Sequence, residues 1–361
     1  MRIAQISPLM ESVPPRLYGG TERVVSYLTE ELIRQGHDVT LFASGDSVTG
    51  ATLVPCAERA LRLMPGMSDA LPHHIRMLDE VRRRAGEFDV LHFHLDVLHY
   101  LMIQGFADRT LTTLHGRLDL KDYQACYAAF PKVPLVSISK DQRFPMPPVN
   151  WVGCVYHGLP ADLLSFTAEP RGDYLAFLGR ISPEKRPDRA IEIAVLTGRR
   201  LLIAAKIDAI DRDYWEQSIE PLVRAHANVE YIGEIGEAEK SEFLGNAAAL
   251  LFPIDWAEPF GLVMIEAMAC GTPVIAWRSG SVPEVIDEAR TGFTVRSIGE
   301  AVSAVTEAVR LDRGAIRTVF ESRFTADRMA KDYVSIYRRL AGGIPTLPVP
   351  IYQMPGLQAA E

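Results

Sequence analysis

Gly179-Arg180-Ile181-Ser182-Pro183-Glu184-Lys185 follows directly on an apolar run from Tyr174 to Leu178, and further along stands Glu258-Pro259-Phe260-Gly261-Leu262-Val263-Met264-Ile265-Glu266. The apolar run reads as a buried strand, with an Arg and a Lys just past its end. The second stretch reads as the start of a helix with a carboxylate on each side, and Gly271 sits where a helix-closing glycine belongs. Side-chain cations together with the N–H groups of a helix start suit a diphosphate, and nearby carboxylates suit sugar hydroxyls. The pair of stretches predicts a strand–loop–helix site that holds a nucleotide sugar.

Outward from this block, short apolar runs alternate with amphipathic stretches along nearly the whole chain, the pattern of parallel sheets covered by helices. The runs predict strands over 3–7, 39–43, 52–55, 90–94, 110–113, 135–138 and 152–156 in the first half. In the second half they predict strands over 174–178, 201–205, 229–232, 249–252, 273–276 and 292–295. Apolar residues at Val24, Val25, Leu28, Leu32 and Ile33 fall on one face of a helix over 21–35, and Gly36 closes it. Pro187 can open a helix over 188–196, and Met329, Tyr333 and Tyr337 form one stripe of a last helix over 326–340. The division is an α/β architecture of two doubly wound, Rossmann-like parallel-sheet domains facing across a cleft. The pattern predicts a first domain over 1–157, the expected acceptor side once a family resemblance is drawn, and a linker over 158–172 carrying Gly158, Pro160, Pro170 and Gly172. Residues 173–324 form a nucleotide-sugar domain, 325–340 a terminal helix packing back on the first domain, and 341–361 a Pro-rich tail. Doubly wound sheets bind ligands at the carboxyl ends of their strands, and the motif residues sit just after predicted strands.

The chain of 361 residues carries a net charge of −8, which argues against broad nucleic-acid binding. It has no apolar stretch near the roughly 20 residues needed to cross a bilayer, and its start reads as a first strand rather than a signal peptide. Cys56, Cys126, Cys154 and Cys270 form no CxxC pair, which fits reduced thiols in the cytoplasm. Arg82-Arg83-Arg84 lies on a predicted helix over 72–85. It reads as a solvated helix end with cations favourable against the dipole, or as a point of peripheral contact between the first domain and the inner membrane face.

The second half resembles the nucleotide-binding domain of the retaining family 4 glycosyltransferases, which share the GT-B fold. Gly179-Arg180 with Lys185 is similar to that family's strand-end basic motif. Glu258 and Glu266 match its pair of glutamates, and Gly271-Thr272-Pro273-Val274-Ile275-Ala276 and Gly280-Ser281-Val282-Pro283-Glu284 fit the stretches that follow. In the first half, Gly19-Gly20-Thr21-Glu22 and His115-Gly116 sit where the family has its glycine loop and active-site histidine. His157-Gly158 stands where many members have Asn-Gly, and Arg186 where many have glycine. The resemblance implies hexose transfer from a nucleoside diphosphate sugar, UDP ahead of GDP, to a hydroxyl on a glycan, lipid or small metabolite. It implies retention of configuration and no metal or other cofactor. It also implies that Glu258 contacts the donor sugar, Glu266 the ribose hydroxyls and His115 the transferred sugar.

The residues support roles beside the resemblance. Arg180 and Lys185 against a departing diphosphate would stabilise its developing charge. N–H groups near Phe260, Gly261 and Leu262 would add to this, and Gly19 and Gly20 let backbone approach a ligand closely. His115 reads either as a cleft histidine or as a buried structural one. His92-x-His94-x-Asp96 places two imidazoles on one strand face, where they could hold a metal or merely line the core. Asp211-Arg212-Asp213 resembles a metal-binding DxD but lies in a helix-start region and reads rather as a solvated cap. A nucleotide-sugar epimerase, a non-catalytic nucleotide-sugar binder and a metal hydrolase around His92 and His94 are the rival readings.

Overall fold

A computed structural model describes residues 1–16 and 19–342. The tail expected over 341–361 lies, apart from its first two residues, outside the described residues. Among the described residues, thirteen strands form two wholly parallel sheets. The first sheet contains β1 (Arg2–Ile6), β2 (Asp38–Ser44), β3 (Thr52–Ala57), β4 (Val90–Phe93), β5 (Thr110–Thr113), β6 (Leu135–Ser137) and β7 (Trp151–Cys154), in the spatial order β3-β2-β1-β4-β5-β6-β7. The second contains β8 (Tyr174–Arg180), β9 (Arg200–Lys206), β10 (Val229–Gly233), β11 (Ala249–Phe252), β12 (Val274–Trp277) and β13 (Gly292–Val295), ordered β10-β9-β8-β11-β12-β13. Each strand expected from sequence is present, with ends shifted by at most a few residues.

Both sheets reverse direction of build beside their first strand. Ile3 pairs with Val39 on one side and Val90 on the other, and Leu175 pairs with Leu201 and Ala249. Crevices outside the carboxyl ends of β1/β4 and β8/β11 are therefore the topological switch points where doubly wound sheets take ligands. The strands are apolar along their length because helices cover both faces: Ile3, Ala4 and Ile6 in β1 are wholly buried, as are Leu175 and Ala176 in β8. Gln5 interrupts this run and is also fully buried.

The Ala326–Ala341 helix returns across the first sheet. Thr325 caps it by accepting from Arg328 N, and Leu159 bridges to the residues beside it through Leu159 N to Phe324 O at 2.9 Å and Ala326 N to Leu159 O at 2.7 Å. Its buried stripe of Met329, Tyr333, Val334, Tyr337 and Leu340 joins Ile3, Leu28, Val90 and Leu111 of the first domain in a core that continues into Met264 and Phe260 of the second. One contiguous hydrophobic cluster thus ties the two domains together.

The Leu71–Arg84 helix ends in the arginine run, and those cations are matched locally. Arg82 pairs with Asp79 and Arg84 with Glu87, each at 2.8 Å, and Arg83 pairs with Glu80. No helix of the described residues is long and apolar enough to cross a membrane. All four cysteines are free thiols.

Candidate active site

A cleft of about 440 Å³ runs between the carboxyl ends of the two sheets. Gly19, Gly20 and His115 line it from the first domain; Gly179, Arg180, Lys185, Glu258, Phe260, Gly261, Leu262 and Glu266 line it from the second. The candidate donor-site residues read from sequence are brought together in this one place, whereas Glu22, His92, His94 and Asp211 do not line it. Arg180 is the last residue of β8, and Lys185 ends a short 3-10 turn, Pro183–Lys185. Glu258 lies in the loop after β11, and Gly261 opens the Leu262–Ala269 helix.

The loop that carries Glu258 is held by its neighbour. Ser281 N donates to Glu258 O at 2.9 Å, Ser281 Oγ to Phe260 O at 2.8 Å and Ser279 Oγ to Trp256 O at 2.7 Å. Gly280 makes this approach feasible: a Cβ there would stand 2.4 Å from both the N and the O of Glu258, and its φ of 56° is left-handed. Gly261 likewise has φ 79°, and a Cβ on it would meet Met264 Cε at 2.8 Å. The helix begins without a side-chain cap, so its first N–H groups and partial positive charge face the cleft. Phe260 anchors this loop. Its ring is buried against His157, Tyr156 and Phe324, at centroid distances of 4.9, 6.0 and 6.2 Å.

The charged residues form two linked groups. Lys185 Nζ pairs with Glu258 Oε2 and lies 4.8 Å from the Trp256 ring centroid. Arg180 pairs with Glu184 and stands 3.6 Å from Asp208 and 3.4 Å from Asp211. Asp211 is buried beside this guanidinium, which corrects its reading as a solvated cap. On the opposite edge, Glu266 is buried and pairs with Lys240 at 2.7 Å. Lys240 also faces Glu237 at 3.7 Å, and Glu237 pairs with Arg23 on the Gly20–Arg34 helix of the first domain. Arg23, Glu237 and Lys240 line the cleft, and the sequence reading missed all three. Glu-Ala-Glu-Lys at 237–240 reads as any solvated helix start, so no local signal marks it.

The histidines at and beside the cleft are networked, and burial favours their uncharged form. His94 Nδ1 lies 2.8 Å from His115 Nε2, and His94 Nε2 lies 2.8 Å from Gln5 Oε1. Burial pushes the His115 imidazole down to about 3 and holds His94 and His157 well below the usual range, with neighbouring histidines adding to the shift in the latter two. His157 stacks on His115 at 5.3 Å with 17° between the rings. His92 joins Tyr337 OH and Thr113 Oγ1, each at 2.7 Å, so both of its ring nitrogens are engaged in the core. That geometry favours the structural reading of His92 over a metal pair, and among the described residues no three His, Cys, Asp or Glu side chains form a metal-binding group.

Comparison with known proteins matches two family models to the chain. One, described as Glycosyltransferase Family 4, covers residues 18–144; the other, Glycosyl transferases group 1, covers residues 166–311. The phosphatidyl-myo-inositol mannosyltransferase of Propionibacterium freudenreichii is 27% identical over 359 residues, covering 90% of this chain and 87% of that protein. The D-inositol 3-phosphate glycosyltransferase of Mycobacterium leprae is 29% identical over 206 residues, covering 51% of this chain and 44% of that protein, so this match spans less than half of the relative's length. Among solved structures, sucrose-phosphate synthase from Thermosynechococcus elongatus superposes with a TM-score of 0.76 at 20% identity, covering 95% of this chain and 99% of that one. AviGT4, a glycosyltransferase involved in avilamycin A biosynthesis, gives 0.72 at 24% identity, covering 95% and 98%. At these identities the structural likeness speaks for the fold.

Proposed function

Because this chain belongs to the family 4 glycosyltransferases of the GT-B fold, we propose that it moves a hexose from a nucleoside diphosphate sugar to an acceptor hydroxyl with retention of configuration. One observation carries the reading. Arg180, Lys185 and the start of the Leu262–Ala269 helix converge on the same cleft wall as Glu258 and Glu266, opposite Gly19, Gly20 and His115. A diphosphate seated on that helix start would draw Lys185 from Glu258 and leave the carboxylate to accept from sugar hydroxyls. As the sugar–phosphate bond breaks, Arg180 and Lys185 would stabilise the growing negative charge, a contribution made in the transition state and not merely in binding. Glu266, steadied by Lys240, would accept from the ribose hydroxyls. The departing phosphate oxygen would take the acceptor proton on the face where the new bond forms, so no carboxylate need attack the sugar.

Two side-chain cations and a helix start supply the positive charge at the diphosphate, so the reaction is proposed to run without metal. The donor is proposed as a UDP sugar ahead of a GDP sugar, and the acceptor as a hydroxyl on a glycan, lipid or small metabolite bound by the first domain. The four free thiols support a reducing, cytoplasmic setting. Calorimetric titration with UDP, GDP and ADP in the presence of chelator tests this. Binding of one nucleotide, lost in Arg180→Ala, is expected; a folded protein that binds none of them would overturn the reading. Conversion of the donor with no acceptor present would point to an epimerase instead.

A further inference from the structure

His115 reaches the cleft as the end of a buried chain of polar groups that starts on the last helix. Gln5 Nε2 donates to Tyr337 OH at 3.1 Å, which turns Gln5 Oε1 toward His94 Nε2 at 2.8 Å. An amide oxygen only accepts, so the single proton of the neutral His94 ring sits on Nε2. His94 Nδ1 is then a bare lone pair. The His115 Nε2 that lies 2.8 Å from it must carry a proton. His115, neutral as well, is left with a bare Nδ1, and that buried atom has no hydrogen-bond partner among the described residues. A buried acceptor without a donor is costly, and a ligand that supplies the donor relieves the cost. His157, stacked on the His115 ring, restricts its rotation.

Resting on the transferase reading above, we propose that Gln5 and His94 are positioning residues that fix His115 in its Nε2–H tautomer, so that Nδ1 accepts a hydrogen bond from a hydroxyl of the transferred sugar. The consequence is selectivity. A sugar that presents a hydroxyl proton there is favoured over one whose hydroxyl is missing or replaced by a carboxylate. The deoxy sugar leaves Nδ1 unpaired, and the carboxylate sets lone pairs against a lone pair. The polarity of the whole chain turns on which end of the Gln5 amide faces His94, and the hydrogen bond from Gln5 Nε2 ties that amide to Tyr337 on the returning helix. The last helix therefore reaches into the cleft chemistry through Gln5, although its own residues do not line the cleft.

The test is nitrogen NMR of the full chain with labelled histidine at neutral pH, with His115→Asn and His94→Asn used to assign the signals. In the parent protein both rings are expected to show a protonated Nε2 and a bare Nδ1. Gln5→Met, which removes the acceptor, is expected to abolish the single tautomer of His115, and Gln5→Glu, which keeps an acceptor oxygen, to restore it. Adding a nucleoside diphosphate hexose that the protein binds should shift the Nδ1 signal, and the nucleoside diphosphate alone should not. A His115 ring protonated on Nδ1 in the parent protein overturns the proposal, whether or not Gln5→Met folds. An unchanged tautomer in Gln5→Met also overturns it. Because the tautomer is read without substrate, these failures are distinct from a failure of the transferase reading, which shows as absent nucleotide binding.

Discussion

Glu284 in the second domain accepts a hydrogen bond of 2.7 Å from the backbone N–H of Asp141 in the first. The same carboxylate accepts from Lys140 N and from Tyr156 OH, both at 2.8 Å, while Arg323 holds its backbone oxygen at 2.6 Å. One side chain thus caps the first turn at Asp141–Arg143 and clamps the two domains beside the cleft. Glu284→Ala removes three charge-assisted hydrogen bonds and leaves two backbone N–H groups to water. We expect a loss of about 2–4 kcal/mol, because each such bond contributes about 1.5–3 kcal/mol when buried and less where solvent reaches it. Denaturant midpoints measure this. A midpoint unmoved by Glu284→Ala would show that the contact does not hold the domains.

Lys185 and Glu258 neutralise each other in the cleft, yet their loss should read differently. Both variants are expected to lower turnover by about 10²-fold or more, the scale for a lost transition-state contact. Lys185→Ala should also weaken nucleotide binding, because in the proposed reading it faces the diphosphate. Glu258→Ala should leave the affinity for the proposed nucleoside diphosphate near that of the parent, because in the same reading it faces the sugar. Steady-state kinetics beside calorimetry separates the two, and near-normal turnover in both folded variants would refute the assignment.

Gly280 packs against the Glu258 backbone without itself lining the cleft. A methyl group at Gly280 would stand 2.4 Å from both backbone polar atoms of Glu258, so the loop must shift, and the φ of 56° adds strain of about 1 kcal/mol. A displacement of about 1 Å in a positioning loop can lower rates by about 10²-fold. Gly280→Ala is therefore expected to lose activity at least tenfold on that scale while remaining folded. Full activity with an unchanged KM would show that the loop can yield without moving the carboxylate.

Most of this architecture is legible in the sequence, and the reason is physical. Parallel strands covered on both faces must be apolar throughout, so Tyr174 to Leu178 and Ala249 to Phe252 stand out as runs against amphipathic surroundings. The same logic places the candidate site residues on loops after those strands, because the carboxyl ends define the cleft. What stayed illegible were the partners. Arg23 meets Glu237 and Lys240 meets Glu266 across wide gaps in sequence, and helix-surface charges look alike whether they meet solvent or a buried carboxylate. The histidine chain left one trace: Gln5, a polar side chain inside the buried run of β1, where an unpaired amide would be costly.

Burial of the histidines sets how the protein responds to acid. His92, His94 and His157 are held well below the ordinary imidazole value, and His99 and His115 are pushed down to about 3, in each case chiefly by burial. Above the unfolded value near 6.5, all five are neutral in both folded and unfolded chains and add no pH dependence. Below it the unfolded chain binds protons that the folded chain refuses, so stability falls as pH drops toward the folded values. Each such histidine contributes a slope of up to about 1.4 kcal/mol per pH unit. Denaturant unfolding should therefore give a stability that drops steeply from pH 6.5 toward 5. His99 offers a clean control, because it lies away from the cleft, stacks on Phe93 at 4.0 Å and leaves Nδ1 without a partner among the described residues. His99→Leu should make the acid slope shallower by the contribution of one histidine, while nucleotide affinity is unchanged. A parent protein whose stability is flat between pH 7 and 5 would mean that these rings take up protons in the folded state, and the neutral His94–His115 pairing would fail with them.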